Sequence, residues 1–179
     1  NELGCLAEVL VIVSAMSIQD PRERPTDKQA QADQAHARFQ HPRSDFLAWI
    51  ALWRYYEEQR QALSQNKLRK LCQREYLAYI RMREWREIHS QLVIACRQLG
   101  FKVRPQLPAE EAYKSIHQAL LTGLLGNVAQ RDEGKQFNAT RNRKIVVFPG
   151  SGQYKKPPPW LVAGEIVETN QVYARQCGA

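Results

Sequence analysis

Apolar residues recur at helical spacing along most of the first hundred residues. The first run has its apolar residues at Leu3, Leu6, Leu10 and Val13. Other faces of this segment are also apolar, which is typical of a buried helix. The stretch from Gln19 to Thr26 contains two prolines, which end that helix. Residues 27–40 are rich in alanine, glutamine and charged side chains, and this composition predicts a surface helix.

A second apolar stripe begins after Ser44, which is a good N-cap, with Asp45 as an acid in the first turn. The stripe consists of Phe46, Trp49, Ile50, Trp53 and Tyr56. A short helix is predicted by Leu68, Leu71 and Cys72, and a longer one by Trp85, Ile88, Leu92, Ala95, Cys96 and Leu99. Gly100 is suited to end the longer helix. We therefore expect a helical bundle over residues 1–101, with the tryptophans of these stripes buried.

The period of the pattern changes after residue 101. Two prolines between Lys102 and Pro108 predict an extended connector, and residues 110–129 return to helical spacing. Residues 102–130 thus form a connector and a linking helix. Apolar residues then alternate with polar ones, which predicts strands at 135–140, 144–148, 160–168 and 171–176.

Four short strands after a helix suit a small barrel or a meander, and a barrel of the oligonucleotide-binding (OB) type has five. The region 131–179 is therefore expected to stop before its last strand, or to borrow one. The predicted fold class is α+β, with an N-terminal helical bundle followed by a small, incomplete OB-type β-barrel.

Positive charge is concentrated in two blocks of the 179-residue chain, whose net charge is +8. Residues 54–104 hold twelve Lys and Arg against five Asp and Glu, and residues 131–160 hold seven against two. Basic charge confined in this way is expected of a protein that binds a polyanion, although solvated helix faces produce similar runs. Nucleic acid is therefore the favoured class of partner.

Cysteine usage and hydropathy favour a cytoplasmic protein. The four cysteines are far apart and form no metal-ligand motif, so we expect reduced and mostly buried thiols. The apolar run from Leu6 to Met16 is too short to span a membrane and contains Glu8. Because Asn1 stands where an initiator methionine would be, we expect the chain to begin inside a longer protein.

Motifs for catalysis are not found in the sequence. It has no GxxxxGK[ST] loop to bind phosphates, no DEAH-like acidic run to hold magnesium and no GxSxG motif. The four histidines occur in separate contexts, which favours surface or half-buried polar roles over metal binding or proton transfer. We therefore expect no catalytic residue, metal site or cofactor in this chain, and no hydrolysis of ATP.

Basic residues near the predicted strands are the strongest candidates for a binding site. Arg141, Arg143 and Lys144 precede one strand, and Lys155 and Lys156 precede another, so a small barrel could bring both groups to one rim. Cations beside glycines that permit close approach suit a single-stranded backbone. The alternative for the second group is a mobile surface loop.

Two further features of the sequence leave alternatives open. Trp160 could stack on a base, but its place at the start of a strand with apolar followers favours a core position. In the helical part, Arg81, Arg83 and Arg86 form a second basic cluster, part of whose charge we expect to be paired within the helix with Glu84 and Glu87. We rank this cluster second.

The C-terminal third resembles the oligonucleotide-binding end of DEAH-box RNA helicases of the bacterial HrpA-like branch. The matching positions are Ala119, Gly123, Asn127, Val128 and Ala129, then Phe148 to Ser151, and then Trp160, Glu165 and Thr169. The helical part, including FQHPRSDFLAWIALWRYY, resembles the ratchet-like region that follows the winged helix in the same family. Where many members have Ser-Asp-His, this chain has Ser44-Asp45-Phe46, and Phe148-Pro149-Gly150-Ser151 stands where many have HPSS.

The resemblance implies an ATP-driven parent that moves 3′ to 5′ along RNA. Its two RecA-like motor domains, which bind ATP and Mg²⁺, and its winged helix would precede this chain, which would form one wall of an RNA channel. Single-stranded RNA is then the expected partner, with no membrane involved. The expected contacts are Arg141, Arg143, Lys144, Gly150, Ser151, Lys155, Lys156, Arg81, Arg83 and Arg86. The alternative function is a module that docks a protein partner on the barrel.

Overall fold

The computed structural model describes residues 2–179, which form a helical region followed by a β-barrel. The helices are α1 (Leu6–Met16), α2 (Gln29–Ala37), α3 (Asp45–Ala62), α4 (Gln65–Arg74), α5 (Tyr79–Gln98) and α6 (Ala109–Gly123). The strands are β1 (Val128–Arg131), β2 (Gln136–Ala139), β3 (Arg143–Val147), β4 (Trp160–Glu168) and β5 (Val172–Gly178). No helix among the described residues is long and apolar enough to cross a membrane.

The chain forms two compact units. The first contains the residues up to Gln40 together with Trp49–Leu107, and the second contains His41–Ala48 together with Pro108–Ala179. Two segments therefore group differently from the predicted domain ranges: α6, predicted as part of a linking region, and residues 41–48 both belong with the barrel. Ser44 forms a hydrogen bond with His117 of α6. Asp45 accepts hydrogen bonds from Ser151, Gly152 and Cys177, which lie after β3 and in β5.

Three tryptophans lie at the centre of the helical unit. Trp49, Trp53 and Trp85 are 2%, 7% and 0% exposed, which confirms their predicted burial. The ring of Trp85 contacts those of Trp49 and Trp53, with centroids 5.6 and 5.0 Å apart. Its indole N–H donates to the carbonyl of Val11 at 3.1 Å and to Ser14 Oγ at 2.9 Å. Because the buried N–H is satisfied in this way, α5 packs against α1 without leaving a polar group unpaired.

The prediction of one helix over residues 110–129 is wrong at its C-terminal end. Helix α6 ends at Gly123, a single 3₁₀ turn covers Leu125–Asn127, and Val128 begins β1. Gly123 and Gly126 weaken a helix at this point. Strand pairing on both sides of β1 supplies the backbone hydrogen bonds that a longer helix would have made.

The barrel is closed by five strands in the order β1-β2-β3-β5-β4, with β4 pairing back to β1. The predicted α+β fold class, a helical region followed by an OB-type barrel, is confirmed. The expectation that the last strand is absent or borrowed is wrong, because residues 128–131 form β1 instead of extending α6. All pairs are antiparallel except β3 with β5. Inward side chains form the core, namely Ala129, Phe137, Ala139, Ile145, Val147, Leu161, Ala163, Ala174 and Cys177.

The cysteines are free thiols throughout the part of the chain that the structure describes. Cys5, Cys72 and Cys177 are buried and Cys96 is half-buried, so the prediction of mostly buried thiols is confirmed. Burial raises the pKa of the Cys72 thiol to about 11. A thiol with so high a pKa is scarcely ionised near neutral pH, and it acts here as a small apolar side chain.

Candidate nucleic-acid interface

The turn between β2 and β3 presents two of the predicted contacts to solvent. Arg141 and Asn142 adopt left-handed backbone conformations, with φ of 60° and 56°, which turn the chain sharply into β3. The hydroxyl of Thr140 donates to the carbonyl of Gly126 at 2.7 Å and holds the start of the turn. The side chains of Arg141 and Arg143 are both exposed. This turn thus carries two guanidinium groups that solvent, or a ligand, can reach.

Lys144 faces outward from β3 and pairs with a neighbouring acid. Its ammonium donates to the carboxylate of Asp132, and the side chains are 53% and 36% exposed. The hydrogen bond from Lys144 is the main cause that lowers the pKa of Asp132. Ion pairs this exposed contribute little to stability, so Lys144 is free to exchange Asp132 for a phosphate.

The connection between β3 and β4 is anchored by Asp45, which lies in the first turn of α3. The Asp45 carboxylate accepts hydrogen bonds from the Ser151 hydroxyl, from the backbone N–H of Gly152 at 2.9 Å and from the backbone N–H of Cys177 at 2.8 Å. A Cβ atom at Gly152 would lie 3.1 Å from the backbone oxygen of His41. Ser151 therefore serves to hold the connection in place, and Gly152 lets it approach residues 41–45.

Gly150 lies in the same connection and is exposed. A Cβ atom there would approach the ring of Phe148 to 3.0 Å. The guanidinium of Arg175, a residue of β5, lies 4.3 Å from the centre of that ring. The absence of a side chain at Gly150 thus leaves room for the Phe148 ring, which contacts the Arg175 guanidinium.

Lys155 and Lys156 are exposed near the end of this connection. The connection leaves β3 after Val147 and enters β4 at Trp160, whereas the turn with Arg141 and Arg143 lies at the other end of β3. At about 3.3 Å per residue, the ends of this strand are about 13 Å apart. The connection also runs to the start of β4, where Trp160 is opposite Gln130, so the expectation that both basic groups share one rim stays a prediction.

Two cations that were not singled out from the sequence lie beside the β3–β4 connection. Arg131 donates from Nη1 to the carbonyl of Pro157 at 2.8 Å, and the ammonium of Lys135 lies 3.8 Å from the ring centre of Tyr154. They flank the turn between β1 and β2, where Gly134 has a φ of 57°. Glycine in a short polar segment is a hairpin signal, but the helical spacing that continues to Val128 obscures the strand before it.

Trp160 is 55% exposed, so the expectation that it anchors the core is wrong. Side chains alternate along β4, and it is Leu161 that points into the barrel, with 2% exposed. Trp160 instead faces outward opposite Gln130 of β1. An apolar run after a tryptophan does not by itself tell which of two successive residues points inward.

The three arginines on α5 differ in what they contact. Arg81 donates to the carbonyl of Asp20 at 2.9 Å, and Arg86 pairs with Glu57 of α3. The expected pairing within α5 is thus replaced, for these two residues, by contacts with other segments of the helical unit. Arg83 is the exposed member of the group. Of these three arginines, Arg83 is the one best placed to meet a ligand.

Comparison with known proteins identifies both regions. The family model described as "Helicase associated domain (HA2), ratchet-like" matches residues 1–49, and the model described as "Oligonucleotide/oligosaccharide-binding (OB)-fold" matches residues 116–179. The ATP-dependent RNA helicase HrpA of Escherichia coli is 49% identical over 173 residues, which are 96% of this chain and 13% of the relative. The chain belongs to the helicase-associated region of HrpA-like DEAH-box helicases.

More distant relatives share the same region. The HrpA homologue of Haemophilus influenzae is 42% identical over 96% of this chain and 13% of its own length. The pre-mRNA-splicing factor prp22 of Schizosaccharomyces pombe, an ATP-dependent RNA helicase, is 28% identical over 96% of this chain and 14% of its own length. This HrpA-like region thus spans about an eighth of the length of the curated relatives it matches.

Proposed function

We propose that this chain is the RNA-binding module of an ATP-dependent, 3′-to-5′ DEAH-box RNA helicase. It grips single-stranded RNA while motor domains elsewhere in the parent bind ATP and Mg²⁺ and hydrolyse the nucleotide. The observation that carries this proposal is a closed OB-type barrel with exposed cations in the segments that lead into β3 and β4. The relatives' function as ATP-dependent RNA helicases supports it. Free thiols at all four cysteines fit a place in the reducing cytoplasm.

The charges suit a strand that crosses the barrel between the loop before β4 and the turn before β3. Lys155 and Lys156 would neutralise phosphates at one end of this path, and Arg141, Arg143 and Lys144 at the other. Such contacts act on the backbone whatever the bases are, so binding would have little sequence preference. A single strand is flexible enough to follow two separated cation groups, whereas a duplex presents its phosphates on a rigid surface.

The other proposed residues have lesser roles. Gly150 allows the β3–β4 connection to lie close to a bound backbone, and Ser151 fixes that connection through Asp45. On α5, Arg83 is the proposed RNA contact, and Arg81 and Arg86 hold the helix to its neighbours.

Binding of a fluorescent single-stranded oligouridine, followed by anisotropy, tests the proposal. Reversing Arg143 and Lys144 to glutamate, or Lys155 and Lys156, should weaken binding strongly, since each reversal replaces an attraction for phosphate by a repulsion. Reversing Lys28 and Lys102, which are exposed and lie outside the barrel, is the control with the same change of net charge. Absence of RNA binding in the wild-type chain at low salt, or preference for a duplex, would overturn the proposal.

A further inference from the structure

A row of four outward side chains crosses the barrel from β3 to β4. Lys144 of β3 is opposite Asn138 of β2, Asn138 is opposite Gln130 of β1, and Gln130 is opposite Trp160 of β4. Adjacent strands are about 4.8 Å apart, so the row is about 14 Å long. All four side chains are exposed. Their immediate neighbours along the strands include Ala129, Phe137, Ile145 and Leu161, which are buried inside the barrel.

Trp160, at one end of this row, borders an apolar groove. The groove has a volume of about 320 Å³, and its apolar lining comes from α6, β1 and β4, chiefly Tyr113, Leu121, Val128, Trp160 and Val162. Trp160 is 55% exposed and lines this groove. An exposed tryptophan joined to an apolar surface marks a place where a ligand can gain by burial.

The surroundings of Trp160 favour an anionic ligand. Arg131 is held beside the start of β4, since its backbone N–H donates to the carbonyl of Pro159 at 2.8 Å and its guanidinium to that of Pro157. Lys114, which is exposed on α6, lines the groove. The turn between β1 and β2 has two acids, Asp132 and Glu133, and the charge of Asp132 is neutralised by Lys144. One cation thus lies beside the start of β4 and another lines the groove.

We propose that a base of single-stranded RNA stacks on Trp160 and that the following bases lie along the row towards Lys144. This proposal rests on the RNA-binding function proposed above and adds the residues that contact bases. An indole ring stacks on any base, because every base has a π face. The amides of Gln130 and Asn138 can hydrogen-bond to the edges of unstacked bases. Arg131 and Lys114 then attract the phosphates on either side of the stacked base.

Substitution of Trp160 in the full chain tests this assignment. W160A should bind a fluorescent oligouridine about 5- to 150-fold more weakly, which is the range expected for losing one stacked base. W160F should keep most of the affinity because it keeps an aromatic ring. F101A removes an aromatic side chain that is 42% exposed and lies outside the barrel, so it is the control and should bind like the wild type.

An abasic strand of the same length separates stacking from charge. It keeps the phosphates and lacks the bases, so wild type and W160A should bind it equally. The wild-type chain gives an independent signal, because its other three tryptophans are 7% exposed or less. Oligouridine should therefore quench the exposed tryptophan fluorescence, and the abasic strand should quench it much less. This second measurement does not depend on how well a variant folds.

Two results would overturn the assignment while leaving RNA binding intact. One is an unchanged oligouridine affinity in W160A, which would leave the groove to a protein partner. The other is an equal loss for the base-containing and abasic strands, which would mean that Trp160 does not contact a base. If the wild-type chain bound no RNA, the proposed function would fail as well, so the two failures are distinguishable.

Discussion

At the scale of single residues, the buried aromatic side chains follow from the sequence and the exposed ones do not. Trp53 lies on a helix whose apolar residues return every three or four positions, and that spacing selects one face. Trp160 precedes four residues of which three are apolar, and strand alternation alone decides which of them point inward. The outward orientation of the Trp160 side chain follows from the pairing of β4 with β1, in which Trp160 is opposite Gln130.

Replacing Trp53 by alanine should destabilise the helical unit by about 3–5 kcal/mol, as for other large core truncations. The ring is 7% exposed and lies 5.0 Å from Trp85 and 4.4 Å from His89, centroid to centroid. Its loss would leave a cavity among these rings. Urea unfolding of the two proteins measures the difference. L99A, at a leucine that is 74% exposed, should unfold like the wild type; equal stability of W53A and L99A would contradict the assignment.

His117 provides a test of pH dependence. Its Nδ1–H donates to the carbonyl of Tyr113 at 2.7 Å, so Nε2 accepts the hydroxyl proton of Ser44 at 2.6 Å. Burial is the main cause that lowers the pKa of this imidazole, and the nearby His41 and Arg43 lower it further. The folded protein therefore binds a proton at His117 less readily than the unfolded chain does.

Stability should consequently fall as the pH drops below about 6.5, the ordinary pKa of histidine, because the unfolded chain takes up a proton first. The loss should continue until the pH passes the lowered pKa of the folded state. Burial also lowers the pKa of His36 and His89, so part of the dependence belongs to them. In H117Q the difference in unfolding free energy between pH 7.5 and 5.5 should be smaller than in the wild type. An unchanged difference would exclude His117 as a contributor.

At the scale of elements, strands β2 to β5 were predicted within a few residues, whereas β1 was not. Val128 continues the apolar spacing of α6, so the sequence allows a longer helix at this point. The outcome depends on pairing with β2 and β4. The paired residues are 6 apart in sequence for Arg131 with Phe137 and 34 apart for Val128 with Val162. Tertiary pairing of this kind overrides a local period.

The first turn of α3 is a second element whose role the sequence does not reveal. Asp45 was predicted as an acid that favours a helix start, and it does occupy the first turn. Its hydrogen-bond partners are 106, 107 and 132 residues away in sequence. No local sequence pattern predicts contacts between residues so far apart in the chain. They explain why residues 41–48 belong to the barrel unit.

Replacing Asp45 by asparagine should destabilise the barrel unit by about 1–3 kcal/mol, the usual cost of leaving half-buried donors without an acceptor. Asparagine has one acceptor oxygen in place of two, and its amide group would face the N–H groups of Gly152 or Cys177. The melting temperature, followed by circular dichroism, measures the effect. D27N changes an exposed aspartate outside the barrel and should melt like the wild type. If D45N melted like D27N, Asp45 would not hold the connection.

At the scale of the whole molecule, charge indicates a class of partner but not its place of binding. Seven cations between residues 131 and 160 indicated a polyanion, and most of them are exposed around the barrel. The positions of these cations around the barrel depend on the order of its strands, which a single sequence does not specify. The same topology gathers Arg131 and Lys135 beside the β3–β4 connection.

The purified chain should not hydrolyse ATP, with or without RNA. Its sequence has no GxxxxGK[ST] loop, and phosphoryl transfer depends on the backbone amides and the lysine of such a loop. A steady-state assay of phosphate release, with and without oligouridine, measures this directly. RNA-stimulated turnover that persisted through purification would contradict the division of roles between this module and the motor domains.

The salt dependence of RNA affinity tests the central claim most directly. On a single strand, the slope of log K against log salt is about −0.7 for each phosphate neutralised. Replacing Arg143 and Lys144 by glutamine should therefore make the slope shallower by about 1.4, two phosphates at that value each. Replacing Lys28 and Lys102, which removes the same net charge, should leave the slope unchanged. Equal changes in the two double variants would mean diffuse attraction to net charge and would contradict a localised RNA interface on the barrel.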